Sequence, residues 1–274
     1  MREFNFKKVY DTQNYIELNY NRSISVVELE KVSCYSYRNL QRVFFAVFKE
    51  TIGGYQTRLK VENGYKQLLY TKKQISVIAV DVGFSDIHSF SKTFKKYFGF
   101  SPLAAKKKKE LLFKEINLIH DIAYQGEPEI VFMPAVLVNY ISCRTNYINP
   151  EIESLWSTFL NHSFEGVIVE YFGVISDDIT ITKKGKCNYD ACVLPQKLNK
   201  ELPIKEIFGR NYAKFIHYGS FDKIEETYTQ IYGGWMLGNQ LEFSHLPIIE
   251  QYIKHDSNSD SEVDFITAIL IPLL

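Results

Sequence analysis

Four aromatic residues, Phe90, Phe94, Tyr97 and Phe98, recur at i, i+4, i+7 and i+8, which gathers them on one face of a helix and leaves His88, Ser91, Lys92 and Lys95 on the other. Such a stripe needs a cover, and the preceding residues offer one. Ser76 is placed to cap a short helix through Ile78, Ala79 and Val82, Gly83 supplies a left-handed residue to end it, and Ser85 is placed to cap the helix that follows. A short helix, a glycine turn and a second helix with a basic outer face is the helix-turn-helix arrangement, whose second helix enters the major groove of DNA.

One such stretch is also what a solvated helical hairpin looks like, but this chain carries two. Upstream, Ser25 and Glu28 stand at capping-box spacing, the pattern breaks at Ser33–Tyr35, and Ser36 is placed to cap a helix with Leu40, Val43, Phe44 and Val47 inside. Arg38, Gln41, Arg42 and Phe45 look outward, and arginine and glutamine are side chains that bond base edges bidentately. The stretch between the units, Gly54–Lys73, reads as one linking helix despite Gly64.

Charge divides the 274 residues in the same way. Residues 1–115 hold 21 Lys and Arg against 11 Asp and Glu, and residues 116–274 hold the reverse, so a formal net charge of zero conceals an excess of ten of each sign. A basic half suits a polyanionic partner. No apolar run approaches the roughly 20 residues of a membrane span, and the N-terminus lacks the apolar core of a signal peptide, so a cytoplasmic chain with no membrane partner is expected. Cys34, Cys143, Cys187 and Cys192 then read as buried reduced thiols, and neither they nor the six histidines have metal-site spacing, so no metal or cofactor is expected.

With NLQRVF at Asn39–Phe44, Tyr55 ahead of the linking helix, and I-A-x-x-x-G-F running on to F-x-K-x-F-K-K-Y-F-G-F-S-P across Ile78–Pro102, residues 10–105 resemble the DNA-binding domain of the AraC/XylS regulators. The resemblance implies seven helices and two recognition helices in successive major-groove segments. By position it implies base contacts from Arg38, Gln41 and Arg42 in the first unit and Ile87, His88, Ser91 and Lys92 in the second. Lys49 and Lys60 stand where that family has glycine and arginine, and Gly64 where alanine is common. Lys106–Lys109 follow, placed to touch phosphate or to keep a helix end soluble, and Gly126 and Pro128 mark a boundary. The expected division is a double helix-turn-helix domain at 1–112, a linker at 113–127 and a second domain at 128–274.

From Glu129 the period changes to short β-branched and aromatic runs around two amphipathic helices. The order strand, helix, strand, strand occurs twice, with Asn149 capping a first helix that gathers Ile152, Leu155, Trp156 and Phe159, and Phe221–Leu237 forming the second. Two tandem β-α-β-β units predict one antiparallel α+β domain with a cleft between halves. Trp156, Y-F-G-V-x-x-D-D at Tyr171–Asp178, Y-D-A-C-V at Tyr189–Val193, H-Y-G-S-F at His217–Phe221, W-M-L at Trp235–Leu237 and P-I-I-E-Q-Y at Pro247–Tyr252 make residues 125–274 similar to GyrI-like effector-binding domains.

That resemblance implies a pocket between the repeats for a small cationic or aromatic ligand. Strand alternation independently puts Glu250 between Ile248 and Tyr252 on one face, and a carboxylate among apolar neighbours is either a cation site or a hydrogen-bonded structural group. The expected site is Glu250 with Trp235, Tyr171 and Tyr252 as aromatic walls; Glu170, between Ile168 and Phe172, poses the same question in the first repeat. No G-x-S-x-G, H-E-x-x-H or phosphate-loop motif occurs, so no catalytic residue is expected. The whole reads as a transcription regulator whose partners are double-stranded DNA, a small-molecule effector and RNA polymerase. A GyrI-like hydrolase using Glu250 and Tyr171 as an acid-base pair, or a ligandless protein-interaction module, are the alternatives.

Overall fold

The computed structural model describes residues 6–107, 127–145, 149–178, 181–183, 185–236, 242–244, 246–256, 258–259 and 261–274. Helices fill the first part: α1 (Phe6–Leu18), α2 (Val26–Ser33), α3 (Tyr37–Phe48), α4 (Ile52–Tyr70), α5 (Ile75–Asp81) and α6 (Ile87–Phe98), with residues 102–107 again helical. The expected linker falls, apart from residue 127, outside the described residues, as do Lys108 and Lys109. Lys106 turns back to donate to the Lys73 carbonyl at 3.0 Å.

Both helix-turn-helix units form from the local signals. Ser25 and Glu28 close a reciprocal capping box, Cys34 takes the left-handed conformation (φ 53°) at the first turn, and Gly83 takes it (φ 83°) at the second. A side chain at 83 would meet the Asn21 carbonyl at 2.0 Å, so glycine is required there on two counts. Ser36 holds the N-cap position of α3 but makes no side-chain cap bond, and two further caps differ from expectation. Gln74, not Ser76, precedes α5, and Asp86, not Ser85, caps α6 by accepting from the amides of His88 and Ser89 at 2.8 Å each. Cys34, at its exposed turn, is no buried thiol; Cys143 is half-buried, and Cys187 and Cys192 are buried.

Helix α4 binds the units together and contains Tyr55 rather than following it. Its 19 residues span roughly 28 Å. Tyr55 packs on Phe44 with centroids 5.4 Å apart, while Tyr65 packs on Phe94 and Phe98 at 5.5 and 5.0 Å. The departures at 60 and 64 have local reasons. Lys60 donates to the Gly83 carbonyl at 2.8 Å, and a Cβ at Gly64 would strike the Phe90 ring at 2.7 Å. Lys49 ends α3 in the left-handed region (φ 53°), a conformation that favours glycine.

The second part is one eight-stranded antiparallel sheet in the order β1-β6-β8-β7-β3-β4-β2-β5. Its strands are β1 (Glu129–Met133), β2 (Val136–Thr145), β3 (Glu165–Ile175), β4 (Cys187–Lys197), β5 (Ile204–Ile207), β6 (Arg210–Tyr218), β7 (Ile248–Lys254) and β8 (Ile266–Pro272). Helix α7 (Asn149–Leu160) and helix α8 (Ile224–Thr229) belong to the two repeats, β2-α7-β3-β4 and β6-α8-β7-β8. The repeats meet at the β3–β7 pairing, and each lead-in strand crosses to the other repeat: β1 pairs with β6, and β5 with β2. The second helix is not continuous. A 3-10 turn (Phe221–Lys223) precedes α8 and a π-helical segment (Gln230–Met236) follows it.

Aromatic rings pack across the junction of the two parts, Tyr10 on Tyr140 and Tyr70 on Phe243 with centroids 6.3 and 6.2 Å apart, and beside them runs a buried polar contact. Arg58, Glu62, Lys66 and Tyr70 stand four residues apart, which makes one stripe of α4, and all reach the segment after β3. Arg58 bonds Asp177 at 3.2 Å, Glu62 accepts from Thr182 at 3.1 Å, Lys66 donates to the Ser176 carbonyl at 2.5 Å and Tyr70 to Asp178 at 3.1 Å.

Candidate effector pocket and nucleic-acid face

Glu250 lies opposite Gly173 in the β3–β7 pairing, at the centre of the sheet. Alternation turns Glu250, Tyr252, Tyr171 and Gly173 toward the helix-covered face, where a cavity of about 810 Å³ opens beneath α7, α8 and the π-helical segment. Trp156 of α7, Tyr171, Tyr228 and Tyr232 of the second helical stretch, and Tyr252 contribute its aromatic walls. Among the described residues seven carboxylates line it, neither Lys nor Arg does, and His255 is the one imidazole.

Glu250 is 5% exposed, and its carboxyl is held by phenols. Tyr228 donates to one oxygen at 2.8 Å and Tyr252 to the other at 2.6 Å. Tyr189 lies 2.5 Å from the Tyr252 hydroxyl and accepts from the Trp156 indole at 3.0 Å. Indole donates only, and Tyr252 has a single proton, which Glu250 receives. With Glu250 ionised, the proton order therefore runs Trp156 to Tyr189 to Tyr252 to Glu250, a chain in which each bond polarises the next. Burial pushes the Glu250 carboxyl above its ordinary range, and the two phenol hydrogen bonds only partly oppose this. Burial likewise drives the Tyr189 and Tyr252 phenols well up, so both keep their protons.

Gly173 makes the cluster possible. A Cβ there would stand 2.6 Å from the Tyr252 hydroxyl, 2.7 Å from that of Tyr189 and 3.0 Å from Glu250 Oε2. Glycine inside a strand marks such close approach, and with Tyr228 and Tyr232 one helical turn apart it was the sequence signal for this cluster.

Among the expected ligand residues, the structure brings together Glu250, Tyr252 and Tyr171, whose ring lies 4.5 Å from the His255 ring. Trp235 is elsewhere, buried in the core against Phe215 and Phe243 at 4.9 and 5.3 Å, because the π-helical segment turns it toward the sheet. Glu170, three residues before Gly173, projects from the opposite face of the strand and accepts from Gln251 at 2.7 Å. The suggested Glu250–Tyr171 pair does not form; Tyr228 and Tyr252 hold Glu250 instead.

Asp177 also lines the cavity. It accepts from Arg58, which is 1% exposed and bonds Glu62 at 2.8 Å and Glu50 at 3.1 Å as well. Arg144 and Lys186 close on Glu50 at 2.9 and 2.5 Å. Burial works to raise the Glu50 carboxyl, but Arg58, Lys186 and Arg144 together bring it down to about 2. Glu62 in turn accepts from Tyr97 of α6 at 2.7 Å, so hydrogen bonds run from the cavity wall to the second recognition helix.

Arg38, Gln41 and Arg42 are exposed on α3, and Ile87, His88 and Lys92 on α6, with Ser91 half-buried. Arg42 donates to Asn39 at 2.9 Å.

Residues 126–274 match the GyrI-like small molecule binding domain, and residues 29–108 match a helix-turn-helix domain. The chain belongs to the GyrI-like family. In this GyrI-like protein the domain follows a helix-turn-helix domain. The HTH-type transcriptional activator RhaS of Mannheimia succiniciproducens is 34% identical over 88 residues, 32% of this chain and 33% of that protein. The HTH-type transcriptional activator AarP of Providencia stuartii is 34% identical over 88 residues, 32% of this chain and 65% of that one. The chain thus spans about one third and just under two thirds of these relatives. The EcmrR C-terminal domain aligns with 54% of this chain and 97% of its own at 15% identity, TM-score 0.46.

Proposed function

We propose that this GyrI-like protein is a sequence-specific DNA-binding transcription regulator whose second domain senses a small aromatic cation. One observation carries the ligand class: a buried carboxylate with phenols for partners faces an aromatic cavity that no described Lys or Arg lines. A buried charge without a counter-charge is costly, and a cation over the rings supplies the charge while its body covers apolar surface. Occupancy would displace the cavity wall at Asp177 and reach α4 through Arg58. RNA polymerase is the further partner such a regulator would engage.

The test is calorimetric titration of a lipophilic aromatic quaternary ammonium and its neutral carbon isostere. The cation should bind and the isostere should bind more weakly; equal affinities sink the reading of Glu250 as receptor.

In the helical part, Arg38, Gln41, Arg42, Ile87, His88, Ser91 and Lys92 are the proposed base contacts, with Ile87 suited to a thymine methyl. Duplexes selected from a random pool supply the operator. Arg42→Ala should then weaken specific binding by about 1–3 kcal/mol and relax preference at one base pair. Unchanged affinity and preference would remove Arg42 from the groove.

A further inference from the structure

Phe45 projects from α3 with 52% of its surface exposed. A lone apolar side chain on a surface is ordinary, but this one has a particular place. Arg38, Gln41, Arg42 and Phe45 are spaced i, i+3, i+4 and i+7, so at about 100° per residue Phe45 falls within about 20° of Arg38, between Gln41 and Arg42. The core side of the helix is already filled by Leu40, Val43, Phe44 and Phe48. Among the described residues no ring contact involves Phe45, whereas Phe44 and Phe48 pack on each other at 4.5 Å. The sequence therefore sets an aromatic ring at the C-terminal end of a stripe of arginine and glutamine side chains, in line with them.

A duplex offers one apolar group at its major-groove edge, the 5-methyl of thymine; the remaining groups bond to arginine, glutamine and their like. We propose that Phe45 is a specificity-determining residue of the first reader and covers a thymine methyl. The inference rests on the DNA-binding reading above. Seven residues of helix rise by about 10 Å, so the thymine lies about three base pairs from the base read by Arg38, at about 3.4 Å per step.

The experiment replaces each thymine of the selected operator in turn by deoxyuridine, which lacks only the methyl, and measures binding to the full chain. Wild type should lose about fourfold at one position, the worth of one buried methyl group. Phe45→Ala should bind thymine and uracil there alike, Phe45→Leu should keep part of the discrimination, and an unchanged melting temperature shows that the variants fold. No methyl dependence at any thymine overturns the proposal. Dependence that survives in Phe45→Ala but vanishes in Ile87→Ala overturns it too, by assigning the contact to Ile87. If no duplex is selected at all, the DNA-binding reading fails and this inference with it; operator binding without methyl dependence refutes the inference alone.

Discussion

The seam between the two domains and the floor of the cavity both bury carboxylates, and they treat them in opposite ways. At the seam, Glu50, Glu62 and Asp177 meet Arg58, Arg144 and Lys186, three anions against three cations. On the floor, the partners of Glu250 among the described residues are hydroxyl groups. The consequence shows in acidity at Glu50, which its three cations hold down to about 2, while Glu250 is pushed up; Glu62, deeper in the seam, is also raised because burial outweighs Arg58. Stability from Glu50 is therefore present above the ordinary carboxylate range and fades as pH falls toward 2, whereas Glu250 favours the fold in its protonated form and weakens it as pH rises through its raised pKa. A compensated buried charge fixes structure. An uncompensated one is strain that a ligand can relieve.

The largest way to break this contrast is Arg58→Met, which strips the guanidinium from Glu62 and Asp177. It should cost about 3–5 kcal/mol, read from thermal unfolding, and adding Asp177→Asn should recover part of the loss. A cost below about 1 kcal/mol would mean that charge compensation does not hold the seam. At the cavity the same kind of neutralisation should do the reverse. Glu250→Gln should leave the free protein as stable or more stable, with its advantage over wild type growing as pH rises, yet cost about 2 kcal/mol of cation affinity, roughly thirtyfold. Melting curves at two pH values and titrations of cation and isostere check both halves. Equal losses for the two ligands would make Glu250 structural.

Gly173→Ala gives a smaller effect of about 1–3 kcal/mol, because the added methyl meets three polar oxygens that can shift only against their neighbours. It should weaken the cation more than the seam, measured by titration beside a melting curve. Smallest is the proton linkage. Cation binding should release protons at pH values below the raised Glu250 pKa, so affinity should climb with pH by less than tenfold per unit. Titration in buffers of different ionisation enthalpy detects this, and an identical signal from Glu250→Gln would assign the proton elsewhere.

Elements with a local cause were legible in the sequence. The capping box at Ser25, the left-handed Gly83, the stripes of α3 and α6 and the twice-used strand order all follow from periodicity and turn chemistry. The cap of α6 was misplaced by one residue because Ser85 and Asp86 are both good caps, and the choice depends on where the chain leaves the turn. The seam was invisible for a deeper reason. Arg58, Glu62 and Lys66 at four-residue spacing look like a solvated face, and only the tertiary arrangement reveals that a second domain covers it. In the pocket, alternation found Glu250 and Tyr252, but Trp235 went astray because the π-helical turn shifts its phase. Tyr189, 63 residues from Tyr252 and in the other repeat, joins it only through the sheet.

The exchanged lead-in strands have a mechanical meaning. Because β1 closes the edge of the second repeat and β5 that of the first, the two halves cannot hinge apart without unzipping an edge pairing on each side. The sheet is thus a fixed anvil under the cavity. Ligands of different girth must be accommodated by the jaws above it, α7 and the segmented stretch from Phe221 to Met236, whose three successive helical pitches give it more ways to slide than one continuous helix would have.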